Sequence, residues 1–235
     1  MKHPFHCHIL PLFTLGAGGL GLGLRLWLFA ATDEKGLLPR NHPAQMVLYL
    51  LSALVIGVLF LSTRKLTPRK SVSRWISVLA CILGAAGLGL AAFSGHSGGV
   101  IRLEQVAKAV CLLGSAVLLT KGLLTATGKP VPYWLTAVLT LALLVNTVAQ
   151  CQVWGAVPQV TEFFFPLMAS VFLLITAYYK TALLAGQSSH RKLAFFSQWS
   201  LFFCCVSLNC SQWSLYLGMV LWTALQLYFC TPKEA

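Results

Sequence analysis

Charge is what this sequence has least of. Asp, Glu, Lys and Arg together make up 9% of its 235 residues, and five residues are acidic. A soluble domain carries about 25% charged residues, and a water-facing surface of this size could not be covered with so few. Disorder is excluded as well. It requires low hydrophobicity, whereas 57% of this chain is hydrophobic.

Other absences narrow the chemistry. Eight cysteines are present, yet no two make a Cys-x-x-Cys pair. Most fall inside apolar runs, where Cys behaves as a small hydrophobe. A disulfide framework belongs to short secreted chains and is not expected here. There is no His-Glu-x-x-His, and no carboxylate falls in the middle of an apolar run. A proton-coupled pump usually keeps an acid at mid-span. No cofactor motif survives its context, so no cofactor and no metal are expected.

What is present is a series of long apolar stretches. Crossing about 30 Å of hydrocarbon takes about 20 residues of helix. Eight spans are predicted, at 9–31, 44–62, 75–93, 103–124, 133–154, 163–184, 194–211 and 213–230. The expected fold is an all-α polytopic membrane bundle in one domain, residues 1–235, with no soluble domain. The last two spans need an argument, because residues 193–230 contain no charge. As one helix they would extend about 57 Å, nearly twice the hydrocarbon thickness. Two helices joined near Ser207–Ser214 fit better, and seven spans plus a re-entrant piece is the alternative.

Orientation follows from the basic residues. Arg64, Lys65, Arg69, Lys70 and Arg74 lie between spans two and three, and Arg191 and Lys192 between six and seven. With eight spans both groups fall on one side. Asp33, Glu34, Glu104 and Glu162 fall on the other. The positive-inside rule then places both termini in the cytoplasm. Trp75, Trp134, Trp154 and Trp213 lie at span ends, where indole prefers the interface. The first span has a single early cation, Lys2, and is interrupted by Arg25; it reads as a retained helix rather than a cleaved signal. The net charge of +12 follows this topology rather than a nucleic-acid surface, so no nucleic-acid partner is expected. The bilayer is the partner, with anionic headgroups at Arg64, Lys65, Arg69, Lys70 and Arg74, each worth about 1 kcal/mol near the surface. The short loops point to a prokaryotic plasma membrane.

Context decides several motifs. Gly16-x-Gly18-x-x-Gly21 matches the dinucleotide fingerprint in letters, but that motif must follow a strand and open a helix. Inside an apolar run it reads as helix packing, with Gly19/Gly23 and Ala85/Gly89 as small residues at a spacing of four. Residues 16–22 echo residues 84–90 at an offset of 68, compatible with a repeat or with shared composition. His3, His6, Cys7 and His8 carry ligand chemistry but are crowded in sequence. Asn209-Cys210-Ser211 is a formal sequon in a tight hairpin, a poor acceptor.

The costly polar residues gather toward the outer half: Arg25, Arg102, Glu104, Lys108, Asn146, Gln150 and Glu162. Arg25 is the sharpest of them, inside the first span about 9 Å short of its end. Its head can snorkel to the interface or line a cavity as an intramembrane charge. Lys108 and Lys121 read as snorkelling from the two ends of span four, with Glu104 and Lys108 at ion-pair spacing. Asn146 and Gln150 share one helix face and need partners.

The reading that joins these features is a transporter membrane subunit, or a small-solute or lipid-headgroup binding component, with an outward-facing polar pocket. Arg25 and Lys108 would attract an anionic group, and Asn146 and Gln150 would orient it. A partner subunit would supply energy. Two alternatives are an intramembrane lipid-modifying enzyme using Glu104 or Glu162, and a structural or sensory adaptor acting through the basic loop.

Overall fold

The computed structural model describes residues 6–32, 42–63, 74–93, 101–154 and 160–228, without the side chains of 6–9, 101–104, 153–154, 160–162 and 228. All regular structure among the described residues is helical. The eight helices are α1 (His6–Ala30), α2 (Pro43–Thr63), α3 (Arg74–Phe93), α4 (Ile101–Ala126), α5 (Tyr133–Trp154), α6 (Val160–Leu184), α7 (His190–Val206) and α8 (Trp213–Tyr228). They match the eight predicted spans in order and approximate bounds. Helices α1 to α6 are long and apolar enough to cross a membrane; α8 is a shorter apolar helix. The chain is a multi-pass helical membrane protein.

The charge-free stretch resolves as two helices. Helix α7 ends at Val206, and Ser207 carries the closing bonds, its N–H donating to the Phe203 and Cys204 carbonyls at 3.0 and 3.2 Å. Its φ of −90° and ψ of 3° turn the chain without a glycine. The Trp213 N–H then donates to the Cys210 carbonyl at 3.1 Å, opening α8.

Each helix from α3 to α8 packs on the next, and α8 returns to α3, so six helices close a ring. Helix α1 lies against α7, α2 and α8, and α2 against α1 and α7. Helix α7 is therefore enclosed by α1, α2, α6 and α8. Its last ten residues except Trp199 are buried, including Ser197, Gln198 and Ser200. Protein rather than lipid surrounds those polar side chains, which explains how the helix tolerates them. The periphery shows the converse. Leu50, Trp75, Phe93 and Leu123 are all at least 70% exposed, the surface that hydrocarbon accepts.

Two kinds of packing hold the bundle. Between α6 and α7 the joint is aromatic. Phe172 stacks on Phe203 at 5.3 Å and meets Trp199 at 4.7 Å, and Tyr179 stacks on Phe196 at 4.9 Å. Between α1 and α7 the joint is glycine. A Cβ on Gly18 would meet the Cys205 Cβ at 2.6 Å, and one on Gly21 the Val206 Cγ2 at 2.6 Å.

This differs in register from the expected small-residue pairs. Gly19 and Gly23 have nothing within 4 Å among the described residues. In α3 the close approaches are at Gly84 and Gly87, whereas a Cβ on Gly89 would make only an ordinary 3.5 Å contact with Ser115. At an offset of 68, Gly84 and Gly87 correspond to Gly16 and Gly19, which face open space. The echo therefore does not place equivalent contacts, as shared Gly/Ala/Leu composition would predict.

Candidate functional site

Two polar groups lie within the bundle, near opposite ends. The first surrounds the α7–α8 turn. Gln150 of α5 is buried four residues before the end of its helix. Its Oε1 accepts from the Ser170 hydroxyl of α6 at 2.9 Å and from the Tyr216 hydroxyl of α8 at 3.2 Å. Its Nε2 donates to the Gln212 Oε1 in the turn. The Tyr216 hydroxyl also lies 2.9 Å from Ser170 Oγ and 3.0 Å from the Pro166 carbonyl. One amide thus ties α5, α6, α8 and the α7–α8 turn together. Each member is neutral, and both ends of the Gln150 amide are satisfied, as buried polar networks require.

Arg25 stands beside this network and is 3% exposed. Its Nη1 donates to the Val206 carbonyl at 3.2 Å, and the guanidinium carbon sits 5.4 Å from the Phe29 ring centroid. Val206 closes α7, so its carbonyl is one of the four left without a helical donor. A cation at that end is favoured by the helix dipole as well. Arg25 thereby reaches the end of α7 from which the turn carrying Gln212 begins. The side chain is thus sequestered between α1 and α7 rather than extended along the lipid face.

Asn146, one turn before Gln150, is buried, and its Oδ1 accepts from the Cys111 thiol of α4 at 3.6 Å. Lys108 is half-buried on α4. The structure therefore brings Arg25 and Gln150 to one end of the bundle and sets Asn146 deeper on the α4–α5 joint. The side chains of Arg102, Glu104 and Glu162 lie outside the described residues. So do Asp33, Glu34, the rest of the 33–41 loop, and Arg64, Lys65, Arg69 and Lys70. Arg74 opens α3 and packs its guanidinium over Gly128, where φ is +73° and a Cβ would stand 3.2 Å from Nη2. The side chains of His6, Cys7 and His8, and all of His3, are likewise not described. Among the described residues no group of three or more His, Cys, Asp or Glu could hold a metal ion.

The second group was read from the sequence only as snorkelling or not at all. Lys121 of α4 and Lys180 of α6 both approach the indole of Trp222 on α8, at 5.9 and 4.4 Å from the ring centroid. Lys180 donates to Gln226 Oε1. Lys121 is 5% exposed, so it does not snorkel to water. Around them Thr176, Trp222 and Thr223 are buried. One signal was available: Lys121, Lys180 and Gln226 are polar residues inside apolar runs at matching depth. Nothing in the sequence showed that these side chains reach one another across the ring.

Gly95-His96-Ser97-Gly98-Gly99 has the Gly-x-Ser-x-Gly form. A nucleophile elbow requires a strand-to-helix turn, whereas this segment joins two apolar helices and lies outside the described residues. No family model matches this chain, and no curated protein or solved structure matches it either.

Proposed function

We propose that this chain is a non-enzymatic membrane component that binds a small solute or a lipid headgroup within its bundle, as the membrane subunit of a transporter would. The observation that carries this reading is the buried guanidinium of Arg25 at the edge of the Gln150–Ser170–Tyr216–Gln212 network. A charge held at membrane depth is costly and in membrane proteins usually marks a functional path. Arg25 with Arg102 and Lys108 would supply positive charge, and Asn146 and Gln150 the orienting amides. Glu104 and Glu162 would border the same outward-facing mouth. Under the charge rule both termini lie in the cytoplasm, and a partner subunit supplies the energy for transport. The site lies in a cell membrane, and anionic headgroups gather at the basic segment from Arg64 to Arg74.

The bond from Arg25 to Val206 and the mutual satisfaction of the network favour a second, purely structural reading. One experiment separates them. Protein extracted in mild detergent is examined by native mass spectrometry for bound small molecules. On the binding reading, a bound species is retained by wild type and by Arg25→Lys and is lost in Arg25→Ala while the bundle stays folded. Identical spectra for wild type and Arg25→Ala would leave the structural reading.

A further inference from the structure

The opposite end of the ring presents a different problem, independent of whether Arg25 binds a solute. Two lysines from facing helices converge on one indole in the bundle interior. Their ammonium groups stand 5.9 and 4.4 Å from the same ring centroid. In a medium of low dielectric, two ammonium groups around one ring repel, and Lys121, 5% exposed, has lost most of its hydration. The indole face attracts a cation, but a single ring cannot offset two.

The hydrogen bonding is also incomplete. Lys121 Nζ is buried and finds no acceptor among the described residues. Trp222 Nε1 and the hydroxyls of Thr176 and Thr223 are buried without a partner there as well. Thr176 lies one turn from Lys180 on α6, and Thr223 adjoins Trp222 on α8. Buried donors in native proteins are almost always satisfied. Here several lie on the helices that carry Lys180 and the indole, a donor set suited to an acceptor-only, negatively charged group.

We propose that Lys121, Lys180 and Trp222, with Thr176 and Thr223, form a buried binding site for a phosphoryl oxyanion. Free phosphate and a lipid phosphodiester share that chemistry. The oxyanion lies between the two ammonium groups, turning their repulsion into two charge-assisted contacts. The indole N–H and the hydroxyls supply further donors.

The end of the bundle nearer the two lysines carries the α4–α5 turn. Lys121 is five residues from the end of α4, about 7.5 Å of helix rise. Lys180 is four residues from the end of α6. That end is rimmed by Arg74, Lys129, Arg191 and Lys192, all exposed. Like-signed residues around a low-dielectric mouth raise the local concentration of an oppositely charged ligand.

The test uses the full chain in non-ionic detergent. Its thermal midpoint is measured against inorganic phosphate, with sodium chloride at matched ionic strength as reference. Wild type should show a saturable rise of about 3 °C specific to phosphate. Lys121→Gln and Lys180→Gln should abolish it, Lys121→Arg should retain it, and Trp222→Phe should weaken binding several-fold. Lys180 is only partly buried, so its variant keeps the test alive if Lys121→Gln does not fold.

A second arm identifies the source. The protein is placed in nanodiscs of phosphatidylglycerol or phosphatidylcholine, and retained lipid is counted by native mass spectrometry. Lipid retained by wild type and lost in Lys180→Gln supports the site with a headgroup as occupant. A phosphate response without lipid retention supports it with a free anion. The proposal is overturned if wild type responds equally to phosphate and chloride and both lysine variants retain lipid as wild type does. It is overturned equally if either variant is stabilised and no anion dependence is seen in wild type. That result would mean the lysines are simply unfavourable where they are.

Discussion

Gly87 and Gly218 bring the backbones of α3 and α8 into direct contact. A Cβ on Gly87 would stand 2.5 Å from the Gly218 Cα and 2.7 Å from the Ser214 carbonyl oxygen. One on Gly218 would stand 2.6 Å from the Gly87 Cα. The obstacle is backbone on both sides, so no rotamer change relieves it. This crossing closes the ring and thereby sets the depth at which Tyr216 and Trp222 project toward the other helices.

Gly87→Ala and Gly218→Ala should each destabilise the bundle by about 1–3 kcal/mol, the usual range for overpacking. Thermal unfolding in detergent checks this. Gly19→Ala, on a face with nothing within 4 Å, is the control and should be neutral. Equal midpoints for all three variants would disprove the crossing.

The Gln150 network should behave as a unit. Tyr216→Phe removes the hydroxyl that reaches both Gln150 and the Pro166 carbonyl. Gln150→Leu removes the shared amide. Hydrogen bonds between membrane helices average about 0.6 kcal/mol, so the two single losses should be modest. A double-mutant cycle should give a coupling of about 0.5–1 kcal/mol. Strict additivity would mean the two side chains do not meet.

Arg25→Met keeps the apolar stem but removes the donor to the Val206 carbonyl. The end of α7 should lose about 1–2 kcal/mol, the cost of an unpaired buried acceptor. Amide exchange should rise first at residues 206–212, a local opening rather than global unfolding. Arg25→Lys should recover part of the protection. Unchanged exchange there would mean the Val206 carbonyl has no need of the guanidinium.

Thiol labelling tests both burial and sidedness. In a chain whose one cysteine is Cys151, which is exposed, maleimide should react in folded protein. With Cys204 alone, which is buried between α7 and its neighbours, reaction should await denaturation. In sealed vesicles an impermeant maleimide should label Cys151 and a Thr127→Cys variant from opposite sides, since they lie near opposite ends of α5. Labelling of both from one side would contradict a spanning α5.

Much of this architecture was legible without coordinates. The α7–α8 break shows why. Only a turn can keep 38 uncharged residues within a bilayer about 30 Å thick, so length and solvent together force a hairpin. Arg25 and Gln150 were legible as costly residues, because a polar group in hydrocarbon must answer for itself locally. Their partners were not. Val206 is 181 positions from Arg25, and Gln212 is 62 from Gln150. No periodicity connects residues that only helix packing brings together.

The register of the glycines was beyond reach for the same reason. Gly18 and Gly19 are neighbours of identical chemistry. A Cβ on Gly18 would stand 2.6 Å from the Cys205 Cβ and one on Gly19 would face open space, a difference set by which helix stands alongside. Composition alone decided the solvent, the helical class and the positions of the spans, because the free energy of moving a residue from water to hydrocarbon depends on that residue and its immediate run. Tertiary structure decided that Lys121 turns inward to Trp222 rather than outward to water. A lysine's direction depends on what lies across from it, and that follows from the backbone crossing at Gly87 and Gly218.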